Sequence, residues 1–533
     1  MLLLSVVSRL KGGGLSDPVS AVVAFLVREG VRAGEGAPDT VHTHISVIVR
    51  FNQVVYKVKR PVSFPYLDFS TPQKRYEACL KELALNRRTA PELYLGVRRI
   101  TRGADGTLEF DGPGELVEAA LQMRRFDDDG LLATMAQRGQ LDANLMTRVA
   151  AAVAESHRQA PVWSGASGAD RLRAVLALNQ RSEAGSVEVL GSDLPQRLNR
   201  ALAAELEHCS GLLDVRAANG RVRHCHGDLH LGNLCVYHDE PVLFDCLEFN
   251  DEMATIDVLY DLSFVLMDLW RFGQPALANW VMNRYLDLAD EADGLPVMPF
   301  FMALRAAIRA QILATQAGQA RGAGDDVRAL ACVGQAMTYL DLAFAFLKRR
   351  PPALLAIGGL SGSGKSTVAA AVAYAFGPVP GARVLSSDRL RKRLFSVVAT
   401  TRLPPEAYAS GVSEQVYAEQ RRQSLQLLGS GVAVVADAVF SRPDEREKLA
   451  QCAATTAVPF VGVWLDVPPE RLFERVAARQ NDPSDATGDV VRRQLHADVG
   501  AMTWHRVLAE GSVDDVAQAV LGQAAACLPD QCY

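Results

Sequence analysis

The stretch GLSGSGKST, Gly359 to Thr367, decides the fold of the second half of this chain. It satisfies the spacing G-x-x-x-x-G-K-[ST], follows the apolar run ALLAIGG and leads into the helical run TVAAAVAYAF. Strand, glycine turn and helix in that order make a phosphate cradle. Gly359, Gly362 and Gly364 let the backbone curl, so that the N–H groups of a loop containing Leu360, Ser361 and Ser363 turn inward. The helix N-terminus adds a field that favours an anion. Lys365 brings a point charge to the β- and γ-phosphates, and Ser366, beside Thr367, offers a hydroxyl to a metal ion. ATP and Mg²⁺ are the ligands this chemistry implies.

Working outward, Arg349-Arg350-Pro351-Pro352 reads as a linker, because paired prolines cannot continue a helix. Beyond it ARVLSSD, VAVVADAVF and PFVGVWLDV alternate with helical runs. That alternation predicts a parallel sheet with helices on both faces. Asp388 stands 23 residues after Lys365, just past a strand. Such a carboxylate faces the ligand crevice and can orient or deprotonate an acceptor hydroxyl, or simply cap a helix. Arg391 is placed to clamp the acceptor. Asp437 ends the next strand, where an acid holds Mg²⁺ through water. Arg471, Arg475 and Arg479 share a helix face. They form either a solvated charged surface or a lid that brings arginines onto the transferring group.

Together, GLSGSGKS, SSDRLRKRL, VADAVFSRPDER and RLFERVAARQNDPSDA resemble the small P-loop kinases, gluconate-kinase-like, polynucleotide-kinase-like and zeta-toxin-like, over about 353–525. The resemblance implies ATP-dependent phosphorylation of a hydroxyl. It gives Asp388 and Arg391 acceptor-side roles and Arg475 and Arg479 lid roles.

The first half turns on HCHGDLHLGNL, His224 to Leu234. A kinase catalytic loop needs an aspartate, an asparagine five residues on, and a metal-binding aspartate on the next strand. Asp228, Asn233 and Asp245 meet that spacing. Upstream, Lys57 in QVVYKVKR and Glu82 in CLKELALNRR supply the expected ion pair, with Lys59 on the same strand face as an alternative. Lys57 would neutralise phosphates, Asp228 would take or orient the acceptor proton, and Asn233 and Asp245 would hold Mg²⁺. A zinc site built from His224, Cys225, His226, His230 and Cys235 lacks the paired spacing of a finger. The histidines read instead as supports.

These motifs, with ATIDVLYDLSFVLMDL downstream, resemble the aminoglycoside phosphotransferase and choline-kinase-like group of protein-kinase-fold enzymes. More narrowly, the chain is similar to a bacterial subgroup fused to a P-loop kinase over about 41–525. The resemblance places Met123 and Arg124 at the hinge whose backbone groups meet adenine, and has Asp257 and Asp261 brace the loop. Two departures stand out. SVIVRFNQVV contains no glycine, so Ser46 or the backbone must serve the phosphates, and Cys246 follows Asp245 in place of Phe-Gly. The second favours small-molecule acceptors over proteins.

The 533 residues, net charge of −5 and nine scattered cysteines describe an ordinary multidomain globular chain with free thiols, expected in the cytoplasm. Net acidity argues against a long nucleic-acid partner, and no uncharged apolar run reaches membrane length. The expected organisation has an N-terminal segment 1–40, partly helical and frayed at MLLLSVVSRLKGGG. A bilobal protein-kinase-like α+β domain follows at 41–348, with its small lobe at 41–126 and a helical large lobe at 127–348. Then come a linker 349–353, an α/β P-loop NTPase domain 354–526 and a tail 527–533. Oligomeric state and acceptor identity are not written in it. The leading expectation is a phosphotransferase with two nucleotide sites. Its alternatives are a regulatory pairing, in which one half controls the other, and a kinase of polynucleotide ends or nucleotide sugars.

Overall fold

The computed structural model describes residues 18–528 except 44, 65–66, 166, 182–186 and 480–481. The expected frayed start and the last residues of the tail lie outside the described residues. The chain forms two compact units: 1–195, 203–272 and 308–337 in one, and 196–202, 273–307 and 338–533 in the other.

The first unit opens with helix α1 (Pro18–Arg32). Strands β1 (Asp39–His42), β2 (Ser46–Arg50) and β3 (Val54–Lys59) follow, then helix α2 (Pro72–Asn86). Strands β4 (Tyr94–Arg102), β5 (Leu108–Phe110) and β6 (Glu115–Arg124) complete an antiparallel sheet in the order β1-β2-β3-β6-β4-β5. Strands β2 and β3 form a hairpin, with Ile48 opposite Lys57. Thr71 caps α2 by accepting from the Lys74 N–H, and Pro72 fills the first helical position. The turn-rich segment DGTLEFDGPGE contains β5, which pairs with β4. Its Phe110 stacks on Tyr56 at 5.9 Å, so packing overrides the local turn signals. Val22, Phe25 and Leu26 of α1 join Val49, Phe51 and Val58 in one core, covering that sheet face.

The large lobe is helical, as its periodicity predicts. Helix α3 (Val258–Arg271) follows the catalytic-loop region, and helix α4 (Pro275–Leu288) lies in the second unit. Two later helical stretches, Ala292–Gly322 and Asp326–Leu347, are long and apolar enough to cross a membrane by length and composition alone. The first is 83% buried within the protein and reads as a core helix, whereas the second is 33% buried and more open than its alanine content predicts.

The second unit carries β7 (Leu354–Gly358), α5 (Lys365–Val372), β8 (Arg383–Ser386), α6 (Ser387–Leu394) and β9 (Val434–Asp437). After them come β10 (Phe460–Asp466), α7 (Pro469–Ala477), α8 (Gly488–His496) and β11 (His505–Leu508). The five strands are parallel in the order β8-β9-β7-β10-β11. Every residue of β7 is buried, as a central strand covered on both faces requires. Val368 and Val372 of α5 pack with Leu355 and Ile357 on one side, while Gln420, from the helix Ser410–Gly429, donates to Leu385 O at 2.6 Å. The strand ends therefore deliver Gly359, Asp388 and Asp437 to one edge of the sheet.

Candidate active sites

In the first unit, pleating puts Lys57 and Lys59 on one face of β3, opposite the inner face of α2. Lys57 Nζ lies 2.8 Å from Glu82 Oε1 and 2.5 Å from Asp245 Oδ1. Lys59 Nζ lies 2.5 Å from Glu82 Oε2 and also pairs with Glu248. Glu82 thus bridges both lysines, and the two differ in access. Lys57 lines a small cavity of about 30 Å³ with Ser46, Asp228, Asp245 and Glu248, whereas Lys59 is fully buried behind it. Burial opposes ionisation of Glu82, yet the two ammonium groups outweigh it and hold the carboxyl below its usual range. Burial likewise disfavours the Lys57 cation, and Asp245 and Glu82 reverse that, raising it well above an ordinary lysine. Glu82→Gln is expected to lower stability by ~3 kcal/mol, since it leaves the two buried ammonium groups short of charge. The fall in the thermal unfolding midpoint measures it; an unchanged midpoint would show that the cluster does not hold the lobe together.

The loop is fastened from beneath. Asp261 of α3 accepts from the His226 and Gly227 N–H groups at 3.1 and 3.0 Å. His226 hydrogen-bonds through Nε2 to Phe244 O at 2.9 Å, and its Nδ1 accepts from the Asp228 N–H at 3.3 Å. Asp257 pairs with Arg216 at 2.8 Å, which anchors the start of α3. Asn233 Nδ2 donates to Asp228 O and Oδ2 at 2.9 and 3.1 Å, which ties Asn233 to Asp228. His230 Nε2 stands 3.7 Å from Asp228 Oδ2, and burial pushes its pKa down to about 4, so it is neutral near pH 7. Asp245 holds a left-handed backbone with φ 58°, a strained position for a side chain other than glycine.

Among the described residues, two buried polar atoms here lack a partner, Asn233 Oδ1 and Ser46 Oγ. An orphaned amide oxygen beside Asp245 fits a hard divalent cation, and an orphaned hydroxyl beside Lys57 fits a phosphate oxygen. Met123 is not brought to this cavity; its side chain packs with Tyr94, Leu121 and Cys235. His157, Cys225 and Asp261 have ligand atoms within 4.8 Å of one another. Asp261 is already engaged by the loop and by His157 at 3.1 Å, which reads as a brace.

In the second unit a cleft of about 1090 Å³ gathers Ser361 to Thr367, Asp388, Arg391, Asp437, Arg475 and Arg479. Gly359 and Leu360 are not part of its lining. Gly359 makes the turn at φ 144°, and Leu360 packs against Leu472, Val476 and Val491. Gly362 has φ 92°, and a Cβ there would meet Leu472 O at 2.7 Å, so only glycine fits. Lys365 Nζ donates to Leu360 O at 2.9 Å, folded back along the loop. Burial lowers the Lys365 pKa, with Asp437 and Asp388 opposing. Burial raises both carboxyls, with Lys365 opposing. Asp437 Oδ2 and Ser363 Oγ are buried without partners, the former again suited to a cation and the latter to a phosphate.

Arg475 is committed to the loop scaffold, donating to Ala509 O at 2.9 Å and Ser363 O at 3.5 Å. Arg479 keeps an unpartnered, buried Nη1 in the cleft. Arg391 donates to Ala407 O at 2.6 Å and lies 4.8 Å from the centre of the Tyr408 ring. Arg471 pairs with Glu474 on the exposed side, which is the solvated-surface reading for that residue. Asp485 was not foreseen: its Oδ2 accepts from Lys392 Nζ, the Leu403 N–H and Tyr408 OH at 2.5, 3.0 and 2.5 Å. It ties the chain at Asp485 to α6 and to the segment Leu403–Tyr408. Gln494 of α8, also unforeseen, accepts from the Ser361 N–H at 2.8 Å. No spacing rule joins these residues to the motifs they support.

Residues 64–300 match the phosphotransferase enzyme family, and residues 354–497 match an AAA domain family. Both agree with the resemblance drawn from the motifs. An uncharacterized protein of Mycobacterium tuberculosis H37Rv is 28% identical over 491 residues, covering 88% of this chain and 92% of that protein. A protein of Mycobacterium bovis, also uncharacterized, aligns with the same figures: 28%, 88% and 92%. Among solved structures, the GDP complex of aminoglycoside 2'-phosphotransferase-IIIa is similar at 12% identity and TM-score 0.34, covering 60% of this chain and 98% of that one. A gluconokinase from Sinorhizobium meliloti is similar at 22% identity and TM-score 0.25, covering 34% of this chain and 94% of that one.

Proposed function

We propose that this chain is an ATP-dependent kinase with two nucleotide sites, each directing a γ-phosphate onto the hydroxyl of a small molecule such as a sugar or amino sugar. One observation carries the reading: half-buried Lys365 and Asp388 and buried Asp437 converge on a cleft of about 1090 Å³ built on the phosphate-binding loop. In that cleft Lys365 and Arg479 neutralise phosphate charge, Asp388 orients or deprotonates the acceptor hydroxyl, and Arg391 holds the acceptor. In the first site Lys57, steadied by Glu82, meets the phosphates and Asp228 faces the acceptor. Mg²⁺, when bound, neutralises charge on the phosphate oxygens. Asn233 and Asp245 would hold it in the first site, Ser366 and Asp437 in the second. Catalysis is then positioning and charge neutralisation by these side chains. The functional modules are taken as 41–348 and 354–526, acting in the cytoplasm; no disulfide joins the described cysteines.

A screen of small alcohols, sugars and amino sugars with γ-labelled ATP and Mg²⁺, using the full chain, tests the reading. Label in none of them overturns it. A second reading, in which the first site binds nucleotide weakly and controls the other, is favoured by its cavity of about 30 Å³, closed by the Lys57–Asp245 pair.

Ser46→Ala separates the two for the first site. The hydroxyl has no partner to lose, so stability is expected to hold or rise slightly. If Ser46 takes the place of the missing glycine loop, the nucleotide KM at this site rises about 3- to 10-fold, as for one lost hydrogen bond. An unchanged KM removes Ser46 from the phosphate contacts.

A further inference from the structure

Strand β8 lies at the edge of the second unit's sheet, where backbone groups are left without a neighbouring strand. Helix α4 takes that place with side chains. Asn279, Asn283 and Asp287 stand four residues apart, on one helix face. Asn279 Nδ2 donates to Ala382 O at 3.0 Å, and the Val384 N–H donates to Asn283 Oδ1 at 2.8 Å. Arg383, at the start of β8, reaches back to Asn283 Oδ1 at 3.0 Å and to Asp287 Oδ1 at 2.8 Å. Asp287 Oδ2 also holds Arg389 at 3.1 Å, and Arg389 is the residue after Asp388. One helix face therefore grips the chain on both sides of Asp388, five residues before it and one residue after. The same helix lies inside the 64–300 span that matches the phosphotransferase enzyme family, yet it packs in the unit that holds the phosphate-binding loop.

We infer that α4 is a clamp for the acceptor side of the second site, with Asp287 as the positioning residue that fixes Asp388 through Arg383 and Arg389. The inference rests on the reading of Asp388 as the acceptor-side carboxylate. Asp287 is nearly enclosed and carries the only negative charge in direct ion-pair contact with Arg284, Arg383 and Arg389 among the described residues. Neutralising it frees three crowded guanidinium groups, and the turn bearing Asp388 loses both grips. The phosphate-binding loop has partners of its own, Gln494 of α8 at the Ser361 N–H and Arg475 of α7 at Ser363 O, and none of the three arginines paired with Asp287 bonds to it among the described residues.

The test uses the full chain as wild type, Asp287→Asn, Asp287→Glu and Asp290→Asn. The last removes only the surface pair with Arg393. Amide exchange is followed at 383–391 and at 359–366, and both KM values are measured for transfer that depends on Lys365. Asp287→Asn is expected to speed exchange at 383–391 and raise the acceptor KM about tenfold, with the nucleotide KM held within about twofold. Asp287→Glu restores both, and Asp290→Asn changes neither. Should Asp287→Asn fail to fold, Arg389→Gln cuts only the grip beside Asp388 and is expected to act in the same direction. Wild-type exchange at 383–391 in these variants overturns the clamp, as does equal loosening of 359–366 or a joint rise of both KM values. If no transfer depends on Lys365, the kinase reading of this site fails by itself, and the exchange data still decide the clamp.

Discussion

Lys365→Ala is expected to lower kcat/KM for transfer at the second site by about 10²–10³-fold, the scale of losing one preorganised charge at a transition state. The side chain sits among Asp388, Asp437 and Arg479, inside the loop that turns at Gly362 and Gly364. Its loss removes the cation that opposes the effect of burial on both carboxyls. Asp388 is already raised by burial, with Ser484 bonding it and Lys365, Arg391 and Arg479 as the charged groups that counter it. Without Lys365 its pKa rises further, so the base form appears only at higher pH. The acidic limb of the residual activity therefore moves to higher pH in Lys365→Ala. A limb that stays in place would mean that Asp388 is not the group titrating. An unchanged kcat/KM would remove the phosphate-binding loop from the reaction.

The second site was legible because its signals are local. Glycines at fixed offsets, a strand before and a helix after are all encoded within a few residues, and Asp388 and Asp437 end strands that any apolar run announces. The first site was legible for a different reason, an ordered set of spaced polar residues. There the sequence left Lys57 and Lys59 open, since both share a strand face. What separates them is depth: Lys57 reaches Asp245, while Lys59 closes on Glu248 behind it. That distinction depends on contacts 188 and 189 residues away in sequence, which periodicity does not encode. The same limit hid Asp485, Gln494 and the Asn279-Asn283-Asp287 face, each defined by a partner 77 to 133 residues distant. Met123 keeps its side chain in the lobe core, which leaves its backbone for the hinge contact that the resemblance implies. The acidic stretch DLADEADG begins with the half-buried clamp residue Asp287, whose partners its composition does not announce.

Asp228→Ala is expected to abolish transfer at the first site, with a fall in kcat of about 10²–10⁴-fold, the range for removing a positioned acid–base group. Collapse of the loop is not expected to confound the result. Asn233 Nδ2 keeps its bond to the Asp228 carbonyl at 2.9 Å, and Asp261 keeps the His226 and Gly227 N–H groups at 3.1 and 3.0 Å. The side-chain bond to Asn233 at 3.1 Å and the approach of His230 at 3.7 Å are lost, while these backbone bonds stay. The nucleotide KM therefore holds while kcat falls, because Lys57, Glu82 and Asp245 are untouched. Asp228→Asn, nearly the same shape without the charge, is expected to lose as much, which assigns the effect to the carboxylate rather than to packing. Transfer that depends on Lys365 is expected to continue at the wild-type rate in both variants. If Asp228→Ala leaves every acceptor-dependent activity intact, the first half is the non-catalytic partner of the second, and its Lys57–Asp245 pair is a closed nucleotide sensor.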